Sequence, residues 1–172
     1  DPQGKVTHNA DRPFERDLDS LPFPARHLLH NERYTLPVIN EPYTLIVTSR
    51  GCPHGCVYCT AWQYYGREVR LRSAVNVVDE MEQCLTRQGV RTFTMWSDTF
   101  NQSRPFVMEV CAEIRKRGLE GKVRWMTNSR VDHVDREALA AMKAAGCIGI
   151  SYGIESGVDE ILQAIKKGAT TA

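Results

Sequence analysis

Cys52, Cys56 and Cys59 stand together in the stretch Ser49-Arg50-Gly51-Cys52-Pro53-His54-Gly55-Cys56-Val57-Tyr58-Cys59. A CxxxCxxC spacing offers three thiolates from one short loop, whereas a cubane 4Fe-4S cluster takes four ligands, so one iron would stay open for chemistry. Structural zinc closes its tetrahedron with a fourth protein ligand, usually from a second CxxC knuckle or spaced histidines, and no second knuckle follows here. A zinc-stabilised module would have to enlist His54, or one of the distant His8, His27, His30 and His133. A simple iron–sulfur electron carrier would also need a fourth protein ligand. In a cluster loop, Gly51 and Gly55 would let the backbone approach the sulfides, whose negative charge backbone N–H groups stabilise. His54 sits in a tight turn and is expected to point outward rather than to ligate. Cys84, Cys111 and Cys147 fall inside helix or strand patterns and read as small buried hydrophobes.

The elements around this loop alternate. Tyr43 to Ser49 reads as a buried strand that delivers the cysteines, and Arg91 to Trp96, Val123 to Thr127 and Cys147 to Gly153 read as three more. Between them, Ser73 caps a helix with Val77, Val78, Met81, Cys84 and Leu85 on one face, which Gly89 stops. A second helix starts near Ser103 with Pro105 in its first turn and ends at Gly118. Asp135 caps a third that runs to Gly146, and Val158, Ile161, Leu162 and Ile165 form a last amphipathic face before Gly168. Four strand–helix units with nearly continuous apolar strands predict an α/β fold with a parallel sheet, either doubly wound or part of a barrel. Four strands cannot close a barrel.

Reactive groups of barrel-type sheets collect at the C-terminal strand ends. Here those ends carry the cysteines, then Ser97-Asp98, Asn128-Ser129-Arg130 and Gly153-Ile154-Glu155-Ser156-Gly157. An Asp or Ser after a strand more often only turns the chain or caps a helix, so the cluster of them carries the argument. Arg72, just before the Ser73 cap, reads as structural rather than catalytic, with its place beside the cysteine loop leaving a site role open. Residues 1–42 are proline-punctuated and without a sustained period, a connecting segment in which only Ala25 to Asn31 has helical character.

At 172 residues the chain can bury one core but not two separate ones. Twenty-two basic against twenty-one acidic residues leave no field to recruit nucleic acid. No apolar run is long enough to span a bilayer, and Asp1-Pro2-Gln3-Gly4-Lys5 lacks a leader's charged and apolar regions, which points to the cytoplasm. Its reducing conditions suit six free cysteines. Lacking an initiator Met, the chain is expected to be part of something longer.

The cysteine loop resembles the signature of the radical S-adenosylmethionine (radical SAM) enzymes, with Tyr58 in the aromatic position before the last cysteine. Gly153-Ile154-Glu155-Ser156-Gly157 resembles the GIESG stretch of that superfamily's cobalamin-associated branch, which includes the magnesium-protoporphyrin ester cyclase and radical methyltransferases. Trp96-Ser97-Asp98-Thr99-Phe100 and Trp125-Met126-Thr127-Asn128-Ser129-Arg130 are similar to that branch's second and third strand ends, although Arg130 could equally pair with Asp132 or Asp135 at the surface. The resemblance implies a partial TIM-type barrel of six strand–helix units, of which 43–172 would hold four, preceded in 1–42 by the linker from an upstream cobalamin domain. It implies Cys52, Cys56 and Cys59 as cluster ligands and Tyr58, Asp98, Asn128, Arg130, Glu155 and Ser156 around S-adenosylmethionine, with no catalytic residue assigned. The function implied is cleavage of S-adenosylmethionine to a 5′-deoxyadenosyl radical, leading to methylation or oxidative cyclisation of a small-molecule substrate. Flavodoxin or ferredoxin would supply the electron, cobalamin would belong to the parent protein, and the 172 residues alone would lack turnover.

Overall fold

In a computed structural model, residue 4, residues 6–37 and residues 39–172 are described; the opening Asp1 to Gln3 and Lys5, read above for a leader, lie outside them. A five-stranded sheet runs β1 (Thr35–Leu36), β2 (Glu41–Val47), β5 (Thr92–Trp96), β6 (Arg124–Arg130), β7 (Cys147–Gly153), with β1 antiparallel to β2 and the rest parallel. The parallel strands lie side by side in chain order. A doubly wound sheet reverses its order at a switch point, whereas here every right-handed crossover steps the same way and puts its helix on the same face. The sheet accordingly curls into a half-barrel.

Local signals explain the helices. Ser73 Oγ accepts from Asn76 N at 3.1 Å to open α2 (Ala74–Gln83), Ser103 opens α3 (Arg104–Lys116) with Pro105 in the first turn, and Asp135 Oδ1 accepts from Ala138 N at 2.7 Å to open α4 (Arg136–Ala144). α2 runs on through one π turn, Cys84–Gln88, that periodicity does not foretell, before Gly89 stops it in the left-handed region. Their apolar faces meet Ile46, Phe93, Met95 and Trp125 of the strands, all fully buried, and the Trp125 indole N–H donates to Ala145 O at 2.9 Å. Burying each such side chain contributes about 1.5–3 kcal/mol. The alternate residues Leu45, Val47 and Trp96 face the other, concave side and remain exposed.

Three expectations need correction. β2 ends at Val47, and Ser49–Arg50 instead form β3, an antiparallel pair with β4 (Arg70–Leu71). β6 continues to Arg130, so Asn128, Ser129 and Arg130 are still paired to β7 rather than following the strand. The stretch Ala25 to Asn31 makes no α-helix; single 3-10 turns lie at Arg26–Leu28 and Asn31–Arg33. Residues within 1–42 nevertheless dock. Leu18 is buried, Asp19 Oδ1 accepts from Ser73 N at 2.9 Å, and Arg26 reaches the free edge of β2. There Arg26 Nη2 donates to Leu45 O at 2.6 Å and Arg72 Nη1 to Val47 O at 2.8 Å, while both guanidiniums pair with the buried Glu80. Arg72 is structural, as its position suggested.

Candidate cluster and cofactor site

The β3–β4 pair closes the base of the cysteine loop, which holds the short helix α1 (Ala61–Tyr65). At its start Gly51 adopts a φ of +97° and donates its N–H to Asp98 Oδ2 at 2.8 Å, tying the loop to the end of β5. A Cβ at Gly51 would lie 2.0 Å from Glu68 O. Gly51→Ala is therefore expected to cost roughly 1–3 kcal/mol in strain and to open the loop base, read as a lower denaturation midpoint together with weaker iron retention. Cys52 N donates to Gly66 O at 3.2 Å, Cys59 N to Cys56 O at 3.1 Å, and Val57 N to Ile165 O at 3.0 Å, so the far end of the chain also holds the loop.

Cys52, Cys56 and Cys59 line one cavity of about 300 Å³, and Asp98, Asn128, Arg130 and Glu155 line it from three strand ends. All three thiols are free. The Ala61 N–H points at Cys59 Sγ at 3.5 Å, and Arg130 Nη1 lies 3.9 Å from Cys56 Sγ. Among the described residues no three His, Cys, Asp or Glu side chains converge as the ligands of a single ion would. A polynuclear cluster spreads its thiolates over separate irons, so three cysteines around one cavity fit it without converging. Burial pushes the Cys52 thiol up, which means that a metal would have to compensate the thiolate.

The rim is polar and partly unsatisfied. Asn128 Nδ2 donates to Ser97 O at 2.7 Å, while its buried Oδ1 has no partner. Burial raises the Asp98 carboxyl, and the Gly51 N–H and Arg70 oppose that shift. Glu155 stands at φ +66° and accepts from Lys167 Nζ at 3.2 Å, which holds its carboxyl below the usual range. Burial, and next the hydrogen bond to Glu155, raise the Tyr58 hydroxyl.

The sequence profile of the radical SAM superfamily matches residues 46–172. This chain belongs to the radical SAM superfamily. Over 167 residues it is 31% identical to an uncharacterised methyltransferase, PH0819, of Pyrococcus horikoshii, covering 97% of this chain and 36% of that protein. Over 170 residues it is 31% identical to the anaerobic magnesium-protoporphyrin IX monomethyl ester cyclase of Cereibacter sphaeroides, covering 98% and 28%. The chain thus spans about a third of the length of these relatives. Among solved structures, the radical S-adenosylmethionine methyltransferase TsrM of Kitasatospora setae, with cobalamin and a [4Fe-4S] cluster bound, superposes with a TM-score of 0.67 at 28% identity, covering 74% of this chain and 26% of that one.

Within this radical SAM chain most of the candidate residues come together. Ser156 is the exception: it does not line the cavity, and its Oγ accepts from Val158 N at 3.1 Å, a turn role. His54 does not point outward, because its Nε2 lies 2.9 Å from Gln102 Oε1 and its ring meets His133 edge-on at 5.9 Å on the cavity wall. His30 faces Glu32 at the surface, and His8 and His27 are exposed. Lys167 was missed. It is only 5% exposed, and the absent side chain of Gly153 makes room for it, since a Cβ there would lie 3.1 Å from Lys167 Nζ and 2.7 Å from Glu155 Oε1. Nothing local separates Lys167 from Lys166; the chain's turn at Lys166, with φ +54°, decides which one enters.

Proposed function

We propose that residues 43–172 form the cluster- and cofactor-binding part of a radical SAM enzyme of the cobalamin-associated methyltransferase and cyclase branch, with 1–42 as the linker before it. The observation that carries this reading is one cavity lined by the Cys52, Cys56 and Cys59 thiols together with polar groups from three further strand ends. The three cysteines would hold a 4Fe-4S cluster and leave one iron for the amino and carboxylate groups of S-adenosylmethionine. Bound there, the two cofactors supply one-electron cleavage of the sulfonium, chemistry able to remove a hydrogen atom from an unreactive carbon. The protein's own groups orient and enclose. Asp98 and Glu155 can face the amino group or sulfonium, and the orphan Asn128 Oδ1 can accept from an N–H or ribose hydroxyl. Tyr58 lines the same cavity beside the cysteines.

Cobalamin in the parent protein is supported by the cobalamin-bound TsrM. The substrate class is a small molecule, methylated or oxidatively cyclised, with an electron donor of the flavodoxin or ferredoxin type. No described helix is long and apolar enough to cross a membrane, and thiols that must stay free suit the cytoplasm. Anaerobically purified full-length protein should carry about four iron and four sulfide per chain, and adding S-adenosylmethionine should perturb the reduced cluster's paramagnetic spectrum. Stoichiometric zinc without sulfide would overturn the assignment.

A further inference from the structure

Arg130 ends β6 with its side chain 6% exposed and its donors almost fully engaged. Its Nε donates to Asp132 Oδ1 at 2.8 Å, and its Nη2 donates to Asp132 Oδ2 and to Lys167 O, both at 2.6 Å. Nη1 approaches Cys56 Sγ at 3.9 Å. The backbone is fixed as well, since Asn101 Oδ1 accepts from Arg130 N at 2.9 Å and Asn101 Nδ2 donates to Arg130 O at 2.8 Å. A guanidinium has five N–H groups, one on Nε and two on each Nη. Asp132, Lys167 and Cys56 take four of them and leave one on Nη1. A bidentate clamp on a ligand's carboxylate needs two parallel N–H groups, and Arg130 no longer has such a fork.

What remains is a buried cation locked beside one cysteine sulfur. We propose that Arg130 is a positioning residue that tunes the reduction potential of the cluster through Cys56, with Asp132 as its opposing charge. This rests on Cys56 being a cluster ligand. A low-potential one-electron donor adds one electron to the cluster with its thiolates and no proton, so the unit becomes more negative by one charge. A fixed cation and an N–H directed at the sulfur favour that state in a low-dielectric site, and the Asp132 carboxylate disfavours it. Arg130 also connects the loop to the segment at Lys167, whose side chain holds Glu155.

The test uses full-length protein reconstituted anaerobically, with the midpoint potential read by redox titration of the reduced cluster's paramagnetic signal. Arg130→Gln should make the reduced form about tenfold scarcer at a fixed ambient potential, a negative shift of about 59 mV for one electron. Asp132→Asn should shift the midpoint the opposite way, and Arg130→Lys should remain nearer the wild type because it keeps the charge. Loosened packing alone would move Arg130→Gln and Asp132→Asn in the same direction, which would overturn the proposal. So would an unmoved potential in Arg130→Gln with iron and sulfide intact. If Arg130→Gln cannot hold the cluster, Asp132→Asn decides, and a midpoint that stays put or falls overturns the tuning role. Wild-type protein without iron and sulfide sinks the cluster assignment and this inference together, whereas an unmoved potential sinks the inference alone.

Discussion

Alanine at Cys52, Cys56 or Cys59 will abolish iron and sulfide retention, whereas alanine at Cys84, Cys111 or Cys147 will leave both in place. The first three thiols surround one cavity, and each would bind a separate iron, so losing one leaves two irons without a protein ligand. The other three are packed into the fold. Cys84 and Cys111 are buried in the core, and Cys147 packs against it from the start of β7. Burial pushes the Cys84 thiol up to about 11, that of Cys111 to about 12 and that of Cys147 to about 11, so all three stay protonated at neutral pH and are poor metal ligands. Their replacement by alanine should lower stability and nothing else. Iron and labile-sulfide assays on the six single variants measure the difference, and loss of the cluster in Cys147→Ala would break the ligand assignment.

Glu80→Ala should destabilise the protein by about 3–5 kcal/mol, the cost of leaving a buried charge without its partner. The Glu80 side chain is 2% exposed and faces Arg26 at 6% and Arg72 at 9%, so its removal strands two guanidiniums at once. Against a typical total of about 5–15 kcal/mol this is a large share. The effect should also be local in a specific way. Arg26 and Arg72 cover the free edge of β2 by donating to Leu45 O and Val47 O, and Arg26 belongs to the segment that precedes β1. In Glu80→Ala that segment should become sensitive to limited proteolysis under conditions where the core persists. Urea denaturation compares the variants, and Glu80→Gln should lose less because it keeps the shape and one acceptor. A loss below about 1 kcal/mol would mean that water already screens the pair.

The helix starts were legible because a cap is a local event: Ser73, Ser103 and Asp135 each bond a backbone N–H three residues on. The bounds of β7 were legible for a similar reason, since an apolar run between Gly146 and the glycine-rich Gly153 stretch marks both ends. β6 was cut short because apolar residues stop at Met126, yet ladder hydrogen bonds do not depend on side-chain polarity and the pairing with β7 continues to Arg130. β3 and β4, two residues each, carry no period at all and exist because the loop returns on itself.

The sequence by itself determined the cysteine spacing, the alternation of strands and helices and the polar residues at the strand ends, because each is set by neighbours a few positions apart. Periodicity left a doubly wound sheet and a barrel both open and the resemblance of the cysteine loop implied the barrel; the tertiary structure supplies the strand order that makes the half-barrel. It also decided that Arg130 meets Cys56 across 74 positions, that Arg26 meets Glu80 across 54, and that Lys167 turns in toward Glu155. Such meetings depend on how far each crossover carries the chain and on which buried charge must find a counter-charge, and neither is written in any local pattern.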